Sequence, residues 1–176
     1  MNIFITILIL VAGIVALLLI IGLFMKKEHY AKRSIIINAP VQKVFDYVKL
    51  LKNQDEFNEG AMEDPNRKRE FKGTDGTVGF IYAWSGNKDA GEGEKEIMNI
   101  EEGKRIEMEI RFVKPMRAVA TIIMDTESLS GTQTKVLWSN AGILKYPINI
   151  LIPMVEKSVA KGMDRSLLTL KNILEK

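Results

Sequence analysis

The first 25 residues, Met1 to Met25, contain no charged side chain, and the apolar run from Ile3 to Met25 covers 23 positions. At 1.5 Å per residue such a run makes a helix of roughly 35 Å, enough to cross a hydrocarbon core about 30 Å thick with slight tilt. It is therefore expected to be a transmembrane helix that holds the remainder of the chain at a membrane. A cleaved signal peptide fits less well. No Lys or Arg precedes the stretch, it is longer than the apolar region of a signal peptide, and no Ala-x-Ala-like site follows it.

Residues 26–33 form a basic juxtamembrane collar, with Lys26, Lys27, Lys32 and Arg33 set against Glu28. Basic residues flanking a span stay on the cytoplasmic side, so the expected topology is single-pass, N-terminus out, with the soluble part in the cytoplasm. Tyr30 falls where an interfacial aromatic would sit. The four basic side chains are expected at the membrane surface, as topology determinants or as contacts for anionic headgroups. Of 25 Lys plus Arg and 22 Asp plus Glu, 21 of each lie beyond Arg33. The net charge of +3 thus belongs to the collar, which argues against nucleic acid as a partner.

Residues 34–176 are enough for one domain with a real core. This segment has no cysteine, and the chain's only histidine, His29, lies in the collar. A zinc site built from cysteines or several histidines, a Cys-His dyad and a Ser-His-Asp triad are all excluded from the domain. No cofactor and no metal site are expected.

The pattern of the domain is α+β. Ser34 to Ile37 is a β-branched run, and after Pro40 the residues Val41, Val44, Phe45 and Val48 recur at helical spacing, predicting a helix that ends near Leu51. A polar, acidic stretch from Lys52 to Asp64 suits a short second helix and a loop. Six strands are then predicted: Asn66–Phe71, Thr77–Ser85, Gly91–Ile100, Arg105–Phe112, Met116–Thr126 and Thr132–Ala141. Turn residues such as Asp75-Gly76, Gly103 and Ser130-Gly131 separate them, as an antiparallel meander requires. Ile106, Met108, Ile110 and Phe112 alternate with Glu107, Glu109 and Arg111, so one sheet face is dry. From Pro153 onward, Val155, Val159, Met163, Leu167, Leu170 and Leu174 form a helical stripe able to pack on that face.

This order of elements, with Ile36-Ile37-Asn38-Ala39-Pro40-Val41-x-x-Val44-Phe45, resembles the START-like (SRPBCC) superfamily. Gly73-Thr74-Asp75-Gly76-Thr77-Val78-Gly79, Tyr82-x-Trp84-x-Gly86-Asn87, Gly91-x-Gly93, and Arg105-Ile106 leading to Arg111-Phe112-x-Lys114-Pro115 are similar to its polyketide cyclase/dehydrase group. The resemblance spans nearly all of residues 34 to 175. It departs where relatives often carry a Trp-Pro-x-Trp-type element, since this chain has Asn53-Gln54-Asp55-Glu56-Phe57-Asn58. It implies a helix-grip fold: a curved sheet wrapped around the C-terminal helix, with an internal cavity open at one end.

Small residues Gly79, Ala83, Ala118, Ala120 and Gly162 among Met108, Met124 and Met163 suit an adaptable apolar wall, or equally an ordinary filled core. Phe80, Tyr82 and Trp84 share one strand face and Ile81 and Ala83 the other, and the sequence does not decide which is inward. The expected ligand-binding set is Tyr82, Trp84, Met108, Ile110, Met124, Trp138 and Met163. Glu92, Glu94 and Glu96 read as a solvated face, Gly91-x-Gly93 as a strand start or bulge, and no residue is expected to be catalytic. The apolar segment Ile143 to Ile152, broken by Pro147, either caps the core or forms a lip of the cavity that dips into the bilayer interface. The leading expectation is a membrane-anchored protein that holds a hydrophobic or lipid-like small molecule. The alternatives are a cyclase/dehydrase-type enzyme with Tyr82 assisting, and an interaction module resembling the chaperone activators of the superfamily.

Overall fold

A computed structural model describes residues 2–62, 64–88 and 90–176. Helix α1, Ile3–Phe24, has 22 residues and is about 33 Å long. Only Gly22 in it is buried, and it is long and apolar enough to cross a membrane. The Asn2 side chain accepts from the Phe4 amide at its first turn.

Strand β1 (Glu28–Ile37) leads to α2 (Val41–Val48) and two one-turn helices, α3 (Gln54–Phe57) and α4 (Glu59–Met62). Six strands come next: β2 (Lys68–Lys72), β3 (Ile81–Ser85), β4 (Glu92–Glu101), β5 (Arg105–Lys114), β6 (Ala118–Ser130) and β7 (Gln133–Ile143). A 3₁₀ turn at Ile148–Leu151 opens into the long closing helix α5, Ile152–Leu174. The strands make one seven-stranded antiparallel sheet in the order β1-β7-β6-β5-β4-β3-β2, a meander whose last strand is closed by β1.

The first strand begins at Glu28 rather than at Ser34, so most of the collar is sheet. His29 and Ala31 point into the protein, while Glu28, Tyr30 and Lys32 stay exposed, a period-2 pattern that the density of charge obscures. The basic residues consequently part company. Lys26 pairs with Glu156 of α5 at 2.7 Å, and Arg33 pairs with Asp164 two helical turns further along. Arg33 stands five strand residues beyond Glu28, roughly 17 Å along β1, which takes it and its neighbour Lys32 away from the end of α1. The helix predicted to reach Leu51 stops at Val48, where the Asp75 carboxylate accepts from the amides of Leu51 and Lys52.

The sheet's inner face and α5 enclose the core. Under α2 it is filled: Val44, Phe45, Val48, Ile97, Ile106 and Leu170 are completely buried. Toward α3 and α4 the packing opens. There the Ser166 hydroxyl of α5 accepts from the Glu59 amide, Arg165 pairs with Glu59, and a Cβ on Gly162 would lie 3.1 Å from the Glu59 carboxylate. A side chain at Gly162 would require the Glu59 carboxylate to give by a few tenths of an ångström.

Candidate functional site

The opened end of the core is a cavity of about 290 Å³ between the inner sheet face, α3–α4 and the middle of α5. Phe80, Tyr82 and Trp84 face inward, and Ile81 and Ala83 outward, which decides the question the sequence left open. The apolar wall comes from Ile110 and Phe112 on β5, Ile122 on β6, Trp138 on β7, and Val159 and Met163 on α5. Of the expected ligand-binding residues, Tyr82, Trp84, Ile110, Trp138 and Met163 line this cavity. Met108 and Met124 do not. They share the inner face but stand nearer the filled end, each fully buried, and the Met108 sulfur lies 3.4 Å from the Gln54 amide nitrogen. Among the small residues, Gly162 lines the cavity and Ala83 is on the outer face.

Trp84 owes its place to a glycine. A Cβ on Gly93 would lie 2.9 Å from the indole and 2.6 Å from the Arg111 carbonyl, so only glycine lets β4, the ring and β5 come this close. The register shift between Glu92 and Gly93 and the positive φ of Gly91 (65°) mark the expected bulge. The indole then donates to the Ala90 carbonyl at 3.0 Å. Gly93→Ala is expected to cost about 1–3 kcal/mol through overpacking. The loss is measurable by urea unfolding, with an altered near-UV spectrum as Trp84 moves.

The cavity also has a polar end. Arg67, in the turn before β2, is buried and donates from Nη2 to Asp55 at 2.5 Å and to the Tyr82 hydroxyl at 2.7 Å. The Tyr82 hydroxyl in turn donates to Asp55, and Arg69 meets the second carboxylate oxygen at 2.9 Å. Burial, reinforced by the Asp55 carboxylate, pushes the Tyr82 phenol up, so it stays a donor. The guanidinium of Arg67 also lies 5.5 Å from the centre of the Tyr82 ring, a cation–π distance.

Next to this network stands Lys95, 9 % exposed, between Gly93 and Ile97 on the inner face of β4. Its ammonium donates to the Gln54 side-chain oxygen at 2.8 Å, a neutral acceptor. Burial pushes it down from an ordinary 10.5 to about 8, with Arg67 adding to the effect and Asp55 opposing it. Removing a charge from water without a paired counter-charge is costly, and here Asp55 is already shared by two arginines. The outer glutamates behave differently: Glu94, Glu96 and Glu109 all clasp Arg111 on the far side of the sheet. A sequence signal for Lys95 existed, because the alternation that places Glu92, Glu94 and Glu96 outside places Lys95 inside.

No protein-family model matches the sequence, and no curated protein matches it. Solved structures do match. Truncated norcoclaurine synthase from Thalictrum flavum superposes with a TM-score of 0.65 at 12% identity, covering 85% of this chain and 95% of that one. Ara h 8.0201 gives 0.62 at 15%, covering 84% and 97%. This chain has the START-like, helix-grip fold. The di-domain ARO/CYC BexL of the BE-7585A biosynthetic pathway matches with a TM-score of 0.60 at 14% identity, over 85% of this chain and 50% of BexL. At such identities the likeness is one of fold, and chemistry must come from the residues. In this helix-grip domain they supply an apolar chamber with one under-compensated cation at its polar end.

Proposed function

We propose that the domain binds a small amphiphile, an apolar body seated against Ile110, Ile122, Trp138 and Met163 and an acidic or carbonyl head meeting Lys95. The protein would do this at a membrane, tethered by α1 with the domain on the cytoplasmic side, as the basic residues directly after α1 favour. One observation carries the reading: a buried ammonium whose hydrogen-bond partner is neutral, at the polar end of a cavity whose opposite wall is apolar. An anionic head would supply the missing counter-charge. The apolar body would contribute through burial, at about 25 cal/mol per Å². At about 290 Å³ the cavity lies just below the usual range of about 300–1,000 Å³, which suits a compact ligand or the head and first part of a longer one.

Filling the chamber tests this. Ile110→Trp is expected to weaken binding of anthroyloxy-labelled palmitic acid by at least about tenfold, equal to about 1.4 kcal/mol, with the far-UV spectrum unchanged. An unaltered affinity would count against a ligand in this cavity.

Lys95 supports a second reading, an enzyme of the cyclase/dehydrase type. An amine titrating near pH 8 in a cavity is a proton acceptor at mildly alkaline pH, and Tyr82 is a neighbouring donor held by Asp55. Cyclisation of a linear β-polyketone with a pH-rate inflection near 8, lost in Lys95→Met, would establish it. Absence of cyclised product from the wild type leaves the binding reading.

A further inference from the structure

The inner face of the sheet continues past the cavity toward α1. Beyond Ile110 and Ile122 the next positions on that face are Phe112, paired with Ala118, and Ala120, paired with Gly142. At this end of the sheet, residues of both faces, these four from the inner one and Arg111, Val119, Thr121 and Ala141 from the outer, border a second, wider hollow of about 710 Å³ that reaches Met116 in the β5–β6 connection and the segment from Ile143 to Ile148. Phe112 borders both hollows.

This groove lies at the foot of α1. The Leu144 amide donates to the Lys27 carbonyl at 2.8 Å, and the Asn149 side-chain amide donates to the carbonyls of Gly22 at 2.7 Å and Met25 at 3.2 Å. Asn149 thereby satisfies carbonyls that the end of a helix leaves open. The Tyr146 ring packs against Gly22. An apolar helix fastened at its last turn to this loop brings the loop to the surface of whatever membrane the helix crosses.

The composition of the rim agrees. Val113, Met116, Val119, Ile143 and Tyr146 are all exposed, a concentration of apolar surface that a soluble face rarely carries. Lys27, Arg117 and Lys145 are exposed around it and make no ion pair among the described residues, whereas Lys26, Arg33 and Arg111 are paired. Apolar residues ringed by uncompensated cations and a tyrosine suit the boundary between acyl chains and anionic headgroups.

We infer that the groove sits in that boundary and is the doorway through which ligand leaves the bilayer for the cavity, with Phe112 standing between the two. The inference rests on the proposal that α1 spans the membrane. Because the chain has no cysteine, single-cysteine variants can be labelled cleanly. Gly13→Cys, Met116→Cys, Ile143→Cys and Leu129→Cys full-length chains, each carrying bimane, would be reconstituted in phosphatidylcholine/phosphatidylglycerol vesicles with and without doxyl-labelled lipid. These sites are exposed, so folding is not at stake, and far-UV spectra check it.

The expected result is strong quenching at positions 13, 116 and 143 and none at 129, near the far end of β6. Quenching at 13 with 116 and 143 as bright as 129 would overturn the inference and leave the anchor standing. No quenching at 13 would overturn both. For the doorway, Phe112→Ala is expected to speed transfer of anthroyloxy-palmitate from these vesicles into the protein several-fold, followed by energy transfer from Trp84 and Trp138. An unchanged rate, or no transfer to the wild type, overturns that role.

Discussion

Lys95→Met is expected to make the protein more stable at pH 7, by about 2 kcal/mol net, and to remove its preference for acidic ligands. A folded pKa of about 8 against an ordinary 10.5 corresponds to a burial cost of about 3 kcal/mol. Leaving the Gln54 oxygen without its donor takes back about 1 kcal/mol, and the methionine fills a similar volume. The pH dependence is the sharper readout. Below about 8 both folded and unfolded chains hold the proton, so the whole cost is present. Between about 8 and 10.5 the unfolded chain binds more protons than the folded one, and wild-type stability rises with pH relative to the variant. Above 10.5 the cost is gone. Urea unfolding of both proteins across this range should therefore show the gap narrowing. A gap independent of pH would mean that Lys95 is compensated in the folded protein. In binding assays the variant should lose the wild type's preference for palmitic acid over hexadecanol.

The opposite sign is expected for Asp55→Ala, with a loss of about 3 kcal/mol. This carboxylate accepts from Arg67, Arg69 and Tyr82, and the Arg67 side chain is only 5% exposed. Removing one partner of a buried pair strands the other in a medium that solvates it poorly, at a typical cost of about 3–5 kcal/mol. The partial exposure of Asp55 places the expectation at the lower end. Asp55→Asn keeps an acceptor and should lose roughly half as much, since a neutral hydrogen bond survives. A second readout separates the network from general damage. Because the Asp55 carboxylate helps to push the Tyr82 phenol up, its removal should bring Tyr82 ionisation to lower pH. A loss below about 0.5 kcal/mol, as at an ordinary surface site, would show that Arg67 finds water or another acceptor.

The architecture was legible where hydrophobic period was strict. Alternation in β5 and the Val159, Met163, Leu167, Leu170 stripe of α5 each admit one buried face, and those faces meet. In β3 both faces are apolar, so period alone left Tyr82 and Trp84 undecided, and burial by α3–α4 settled them. Met108 and Met124 share the inner face but lie nearer the filled end, and a repeat of two says nothing about which end of a strand meets the filled core. Arg67 and Asp55 gave no signal at all. One lies in a turn and the other on a one-turn helix, and only tertiary packing brings them together across Tyr82. The early start of β1 was hidden by charges that turn out to reach α5 rather than water alone.

Whether the chamber holds an amphiphile can be read from full-length protein purified in mild detergent, extracted with organic solvent and analysed by mass spectrometry in parallel with native mass spectrometry. The expected result is a bound small molecule with an apolar body and an acidic or carbonyl head, near one per chain in the wild type and depleted in Ile110→Trp. Recovery of no such molecule, together with failure of anthroyloxy-palmitate to bind the emptied protein, would contradict a ligand-holding role.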